Sequence, residues 1–148
     1  VCPMRVLIAV DGTPEAERAA ERARALFGEA ADYLAINVVP DPTTYVDPAI
    51  GFGAVYGYPL MATVAEEGER VRDARGVAAA TVAEAGLVAE PIGEIGDPAT
   101  TIVAAADEHD VDVIVVAASD KGWFSRLVSG SVSASVVRDA HVPVLVAR

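Results

Sequence analysis

The sequence predicts an α/β protein with a parallel β-sheet, and two observations carry this prediction. The first is a set of five short runs rich in Val, Ile and Leu. The second is that segments whose apolar residues recur at helical spacing alternate with these runs. Such alternation gives a parallel sheet with helices on both faces, because crossovers between parallel strands are right-handed. The 148 residues, 53% of them hydrophobic, suit a single domain covering 1–148.

The first strand, first helix and second strand follow directly from local signals. The run MRVLIAV (4–10) is typical of a strand buried on both faces. Thr13 is a good N-cap, Pro14 suits the first helical position, and Gly28 is expected to end the helix. The second strand is DYLAINVVP (32–40). The apolar stripe of the helix comprises Ala16, Ala19, Ala20, Ala23 and Phe27.

Residues 41–60 differ in composition from the segments around them. Pro, Gly and aromatic residues are concentrated there without a periodic pattern, so we predict a long ordered loop. A loop of this length inside a compact domain is usually functional or mobile. A long helix over 61–85 should follow it. The predicted apolar face of that helix comprises Val64, Gly68, Val71, Ala78, Val82 and Ala85.

The second half of the chain continues the alternation. The run LVAEPIGEI (87–95) predicts a strand at a sheet edge, because Pro91 cannot donate to a hydrogen-bonded ladder. Asp97 is the expected cap of the next helix, and Pro98 suits its first turn. The run VDVIVVAAS (111–119) is the most apolar strand and is expected to be central.

The last helix and strand complete the pattern. A short helix is predicted over 131–140, followed by the strand VPVLVAR (142–148), where Pro143 again indicates a sheet edge. The predicted buried side of this helix comprises Val132, Val136, Val137 and Ala140.

A ligand crevice is expected beyond the carboxyl ends of the strands, at the point where the strand order reverses. Asp11 follows the first strand, Val38 lies near the end of the second, and Ala117 to Asp120 follow the fourth. The loop after that fourth strand leads to Gly130-Ser131, which opens a helix. A helix N-terminus offers unpaired N–H groups and about half a positive charge to an anion.

Composition and motifs argue against several other functions. A net charge of -11 repels phosphate backbones, so we do not expect nucleic-acid binding. Neither G-x-x-x-x-G-K-[ST] nor G-x-G-x-x-G occurs, and His109 and His141 lack neighbouring metal-ligand residues. Cys2 has no partner cysteine, and Asp11 lacks the second acid that a phospho-acceptor receiver domain needs. No nucleophile–base pair is apparent, so we do not expect an enzyme beyond slow ATP hydrolysis.

The sequence also sets an expectation for the compartment. No apolar run reaches the length of a membrane span, and no charged-then-apolar leader opens the sequence. A single cysteine fits a reducing environment. We therefore expect a soluble cytoplasmic protein without membrane contact.

Three stretches resemble the universal stress protein family: VLIAVDGT near the start, GEIGDPATTIV in the middle, and GSVSASVVRDAHVPVLVAR at the end. The last is the most specific, because a Gly-Ser-Val that opens a helix is followed ten residues later by PVLV. The resemblance spans essentially the whole chain. It implies an open five-stranded parallel sheet of order 3-2-1-4-5, in agreement with the two edge prolines. It also implies a homodimer paired through the final strand, 142–148.

One branch of this family binds ATP or a related adenine nucleotide through G-x-x-G, nine residues, then G-[ST]. With Gly130-Ser131 on the last pair, Ala117 and Asp120 stand where the first two glycines would be. The resemblance implies that Asp11 contacts the adenine amino group and that Val38 offers its backbone to the base. It further implies that the phosphates meet the amides and hydroxyls of Gly130, Ser131, Val132 and Ser133.

Asp120 is the departure from the family pattern with the largest expected effect. Its carboxylate would stand near the phosphates and repel them, unless Lys121 and Arg126 offset its charge. We therefore predict a regulatory stress protein with an altered, weak adenine-nucleotide site that tolerates AMP, cyclic AMP or ADP better than ATP. Mg²⁺ would be needed only with a triphosphate, and no cofactor is certain. The alternative is a nucleotide-free dimer that acts through protein contacts.

Overall fold

The computed structural model describes residues 2–41, 64–118 and 132–148. In these ranges five strands alternate with four helices. None of the four helices has the length and apolarity needed to cross a membrane. The elements are β1 Arg5–Ala9, α1 Pro14–Phe27, β2 Asp32–Val39, α2 Val64–Glu84, β3 Glu90–Ile95, α3 Pro98–Glu108, β4 Val113–Ala117, α4 Val132–Asp139 and β5 Val144–Ala147.

The strands form one parallel sheet in the order β3-β2-β1-β4-β5. This order confirms the prediction, and the two edges are those that the prolines indicated. Pro91 lies within β3 opposite Ala35 of β2, and Pro143 directly precedes β5. β4 is fully buried but is not the middle strand, since β1 holds that place. The apolar sequence of β4 reflects burial on both faces of the sheet. Any interior strand is buried in this way, whether or not it is the middle one.

The helices cover the sheet two to a face. The chain moves from β1 through β2 to β3 in one direction and then returns past β1 to β4 and β5. Right-handed crossovers in opposite directions place α1 and α2 on one face and α3 and α4 on the other. The core under α1 and α2 includes Val6, Ile8, Ala35, Val82 and Val115, and the core under α3 and α4 includes Leu7, Ile36, Ile102, Ile114 and Val136.

α1 begins and ends at the predicted residues. Thr13 Oγ1 accepts a hydrogen bond from the Ala16 amide at 3.3 Å, and Pro14 is the first helical residue. The helix ends at Gly28, whose φ of +76° favours glycine. Phe27 is half-buried against the core. The predicted alanine stripe, Ala16, Ala19, Ala20 and Ala23, is buried.

α2 packs on β3 too closely for a side chain to stand between them. A Cβ atom on Gly93 would overlap the carbonyl oxygen of Val71 and the amide nitrogen of Arg75. The helix backbone therefore lies directly on the strand at this point. The close approach fixes the distance between the α2 backbone and the edge strand β3.

The predicted apolar face of α2 is confirmed only in its C-terminal part. Ala78, Val82 and Ala85 are buried, and Val71 is half-buried. Val64, by contrast, is 88% exposed, so its place on the buried face was wrong. The first turns of the described helix carry glutamates and no buried residue, and burial begins at Ala74.

One residue of the short helix α4 also differs from the prediction. Val132 and Val136 are fully buried and Ala140 is half-buried, at the spacing of four that one helical face requires. Val137 is 52% exposed, because it lies a further 100° around the helix from Val136. Ser133, which the sequence had not placed on the buried side, is buried as well.

The amino end of the sheet is tied together by Arg5. Its backbone N–H donates to Asp112 Oδ2 at 2.8 Å, and its guanidinium Nε lies 3.4 Å from Asp32 Oδ2. Nη1 donates to the carbonyl of His109, the C-cap residue of α3. These contacts hold the starts of β1, β2 and β4 together and leave the carboxyl ends of the strands for the crevice.

Candidate functional site

Three of the predicted site residues lie at the carboxyl ends of β1, β2 and β4. We call this end of the sheet, where the strands finish, the carboxyl edge. Asp11 follows β1 by two residues, Val38 is the penultimate residue of β2, and Ala117 ends β4. The chain leaves β1 toward α1 on one face, whereas the chain after β4 leads to α4 on the other. Parallel strands whose connections diverge in this way have a crevice between them, where such sheets bind ligands.

The side chain of Asp11 is fixed by the turn that follows it. The backbone N–H and the hydroxyl of Thr13 both donate to Oδ1, at 3.1 and 2.5 Å. The second oxygen, Oδ2, is buried and has no hydrogen-bond partner among the described residues. Leaving a carboxylate oxygen buried and unpaired is unfavourable, so Oδ2 is an acceptor suited to an incoming donor.

Gly12 sets the direction of this turn. Its φ of +80° lies in the region that side chains rarely adopt. A Cβ atom there would also come within 3.2 Å of Val77 Cγ1, because α2 passes beside the turn. The turn between β1 and α1 is therefore packed from outside, which holds Asp11 in place.

The backbone of Val38 extends beyond the last paired residue of β1. The ladder between the two strands ends at the pair Ala9–Ile36, and one further bond joins the Val10 N–H to the Ile36 carbonyl at 2.9 Å. Backbone groups alternate in direction along a strand, so the N–H and C=O of Val38 point the same way as those of Ile36. In the described ranges, no backbone hydrogen bond joins Val38 to Val10 or Gly12. Both backbone groups of Val38 are therefore directed at the crevice.

Asn37 also belongs to this edge, although the sequence had not singled it out. It is 6% exposed, and its Nδ2 donates to the Val10 carbonyl at 2.8 Å. The available signal was a single carboxamide within an otherwise apolar run, 33–39. Buried polar side chains are almost always hydrogen-bonded, so such a residue must hold a specific partner.

Only part of the predicted phosphate end lies in the described ranges. Val132 and Ser133 open α4 and are 1% and 9% exposed. Val132 packs into the core under α3 and α4, so only its backbone could meet a ligand. The remaining predicted residues of this end, Asp120, Lys121, Gly130 and Ser131, lie outside the described residues and stay predictions.

The predicted loop 41–60 likewise falls outside the described residues, apart from Asp41. The described chain on either side of it is anchored, because Arg70 of α2 donates to the Pro40 carbonyl at 3.0 Å. This bond joins the end of β2 to the second turn of α2. It holds the beginning of the described part of α2 against the end of β2.

Comparison with known protein families gives a match over nearly the whole chain. The model of the universal stress protein family matches residues 4–148. The chain belongs to the universal stress protein family. A universal stress protein of Methanocaldococcus jannaschii is 31% identical to it over 147 residues, which is 97% of this chain and 81% of that protein.

Solved universal stress protein structures share the architecture. UspA from Lactobacillus plantarum is 27% identical, with a TM-score of 0.55 over 100% of this chain and 99% of that one. A universal stress protein family protein from Arabidopsis thaliana with AMP bound is 20% identical, with a TM-score of 0.59 over 98% and 91%. These likenesses agree with the five-stranded sheet and its strand order.

Two histidines and a surface groove lie elsewhere on this universal stress protein. The described residues hold no group of three or more His, Cys, Asp or Glu that could bind a metal. His141 is exposed, with Nδ1 3.0 Å from Asp107 Oδ2, whereas His109 is half-buried as the cap of α3. A surface groove of about 450 Å³ lies beside the C-terminal half of α1, at the opposite end of that helix from Asp11. It is lined by Glu21, Arg24, Ala25, Glu29 and Ala85.

Proposed function

We propose that this universal stress protein is a cytoplasmic stress-response regulator that binds an adenine nucleotide beside Asp11 and Val38. The observation that carries the proposal is the set of hydrogen-bonding groups at the carboxyl edge. It consists of one donor, the Val38 N–H, and two acceptors, the Val38 carbonyl and the buried Asp11 Oδ2.

This set of groups suits adenine better than guanine. Adenine presents an acceptor at N1 and an amino group with two N–H donors at C6, so Val38 N–H pairs with N1. The amino hydrogens then go to the Val38 carbonyl and to Asp11 Oδ2. Guanine carries the acceptor O6 at the same position. A carbonyl and a carboxylate facing O6 would be acceptors against an acceptor, which is repulsive.

The charge of the protein favours a nucleotide with few phosphates. The chain carries a net charge of -11, and its single lysine is Lys121. The N-terminus of α4 would supply N–H groups and a partial positive charge to one phosphate. AMP, cyclic AMP or ADP therefore suits the site better than ATP, and Mg²⁺ would matter only for a triphosphate. The Arabidopsis relative with AMP bound supports a monophosphate ligand.

Binding rather than turnover is the proposed activity. The groups that the structure places at the edge are a backbone amide, a carbonyl and a carboxylate already held by Thr13. Those groups recognise a base, and they lie at the base end rather than beside a phosphate chain. We therefore propose a nucleotide sensor rather than a hydrolase.

A homodimer through β5 is the second part of the proposal. β5 is a sheet edge, and Val146 on it is 38% exposed, while the neighbouring α4 exposes 52% of Val137. Unpaired apolar edge strands are prone to pair with another chain, and a twofold axis would cover both edges at once. If no nucleotide binds, the dimer surface would remain as the site through which the protein acts.

Native mass spectrometry with equimolar AMP and GMP tests the nucleotide proposal. We expect one AMP for each chain and little GMP, because only adenine satisfies both acceptors at the edge. Equal occupancy by both nucleotides would show binding through phosphate alone. The absence of any nucleotide complex would leave the dimer surface as the better account.

A further inference from the structure

We propose that Asn37 is a positioning residue that ends the β1–β2 ladder and so keeps the Val38 backbone available to the base. The part of this proposal that concerns the base rests on the proposed function. The part that concerns the ladder does not, because it is a property of the ligand-free protein.

The geometry of the ladder identifies the bond that is missing. In a parallel pair the bonds are evenly spaced. A residue that donates its N–H to residue j of the partner strand accepts, at its own carbonyl, from the N–H of residue j+2. After the bond from Val10 N–H to the Ile36 carbonyl, the next one would run from Val38 N–H to the Val10 carbonyl. Among the described residues that backbone bond is not made. The Val10 carbonyl instead accepts from Asn37 Nδ2 at 2.8 Å.

A side chain thus takes the place of a backbone donor. Asn37 is 6% exposed, and its amide reaches across from β2 to the strand end beside it. The Val10 carbonyl needs a partner in this buried setting, and it obtains one without drawing in Val38. The consequence is that β1 turns away after Val10, toward Asp11 and Gly12, while Val38 keeps its N–H and C=O for the crevice.

This arrangement prepares the edge before a ligand arrives. If Val38 were paired with Val10, a base would have to break a ladder hydrogen bond before it could bind. The free energy of that hydrogen bond would then be subtracted from the free energy of binding. Asn37 removes this competition. It touches neither the base nor the phosphates in the proposed complex, so its role is to position Val38.

The test replaces Asn37 by leucine, which has a similar size and no donor. In Asn37→Leu the Val10 carbonyl loses its partner, and the donor that the strand register would bring to it next is the Val38 N–H. We expect the ladder to extend by one bond and AMP affinity to fall about tenfold. The matched control is Thr81→Val, because Thr81 is 7% exposed and its hydroxyl donates to the Val77 carbonyl at 2.8 Å. The control should lose stability but keep AMP affinity within about twofold.

The direct readout is the NMR coupling across a hydrogen bond between the Val38 nitrogen and the Val10 carbonyl carbon. We expect no coupling in the parent and a measurable coupling in Asn37→Leu. A coupling in the parent would overturn the proposal, and this measurement needs no variant, so it decides the matter even if Asn37→Leu does not fold. A folded Asn37→Leu without the coupling, or with the coupling and unchanged AMP affinity, would also overturn it. If the parent binds no AMP, the proposed function fails while the coupling still decides the ladder claim.

Discussion

The Tyr33 hydroxyl donates to the Gly28 carbonyl at 2.6 Å, which joins β2 to the C-terminal end of α1. Tyr33 is 4% exposed and packs within the core under α1 and α2. Tyr33→Phe should lower the free energy of unfolding by about 1–2 kcal/mol, because the partly buried Gly28 carbonyl loses a partner. Urea denaturation at pH 7 measures this change. An unchanged free energy of unfolding would show that the hydrogen bond contributes nothing net.

Tyr33 also predicts a loss of stability at alkaline pH. Burial raises the pKa of Tyr33 above 10.0, and the charge of Arg24 opposes the shift only partly. The unfolded chain therefore releases this proton first, so the contribution is complete below about pH 10 and is lost as the pH rises through the folded-state pKa. Urea denaturation between pH 9 and pH 11 should show a steeper decline for the parent than for Tyr33→Phe. Identical slopes for the two proteins would contradict this assignment.

The contact of α2 with Gly93 predicts that two glycine-to-alanine substitutions change the stability of the protein in opposite directions. Gly93→Ala should destabilise the protein by about 2–3 kcal/mol, because the new Cβ overlaps the α2 backbone at Val71 and Arg75. Gly76→Ala is the control, since nothing lies within 4 Å of an added Cβ on that helical residue. The control should stabilise the protein by about 0.5–1 kcal/mol through helix propensity. Thermal and urea unfolding of the two variants would measure both effects, and a Gly93→Ala protein as stable as the parent would disprove the close approach.

The proposed dimer predicts that charge on the β5 edge separates the chains. Val137→Lys with Val146→Lys should give a monomer in sedimentation at micromolar concentration, because both side chains are exposed beside that edge. Val144 is left intact, since it packs against the core and its loss would confuse unfolding with dissociation.

Val88→Lys is the control for this substitution. Val88 is 93% exposed and precedes β3, at the opposite edge of the sheet. That variant should remain a dimer. A monomeric parent, or a dimer that survives lysine at both positions, would exclude pairing through β5.

Asp120 predicts a difference between ATP and AMP. Asp120→Gly should strengthen ATP binding more than AMP binding, because we predict from the sequence that its carboxylate stands near the outer phosphates and repels them. Its removal should be worth about 1–2 kcal/mol, or roughly tenfold in affinity. Gly130→Asp should abolish binding of both, since it adds a negative charge two residues before the first residue of α4, where the sequence predicts that a phosphate binds. If calorimetry shows that the parent already binds ATP at micromolar affinity and that Asp120→Gly changes nothing, the repulsion argument is wrong.

Features that depend on nearby residues were predictable from the sequence. Thr13, Pro14 and Gly28 set the limits of α1 through capping and backbone preferences, which involve only neighbours in the chain. The edge prolines, Pro91 and Pro143, predicted which strands have only one neighbour. These signals were sufficient for the fold because right-handed crossovers leave few alternative topologies.

Features that depend on distant residues were not predictable in the same way. Helical spacing shows which residues share a stripe but not where the stripe leaves the sheet, so Val64 and Val137 were placed in the core although they are exposed. Asn37 was overlooked because its partner, the Val10 carbonyl, is 27 residues away and is identified only by the strand register. The unpaired oxygen of Asp11 likewise depends on the orientation that Thr13 imposes.

The most direct test of the adenine site is a calorimetric titration of AMP and inosine monophosphate into the parent and into Asp11→Asn. The two Thr13 donors hold an oxygen at the Oδ1 position, so the new amide group takes the place of Oδ2. That change replaces an acceptor by a donor, which opposes the amino group of adenine and favours the O6 of inosine. We predict that the parent prefers AMP and that the ratio of AMP to inosine monophosphate affinity falls about tenfold in Asp11→Asn. A ratio that is the same in both proteins would show that Asp11 does not read the base.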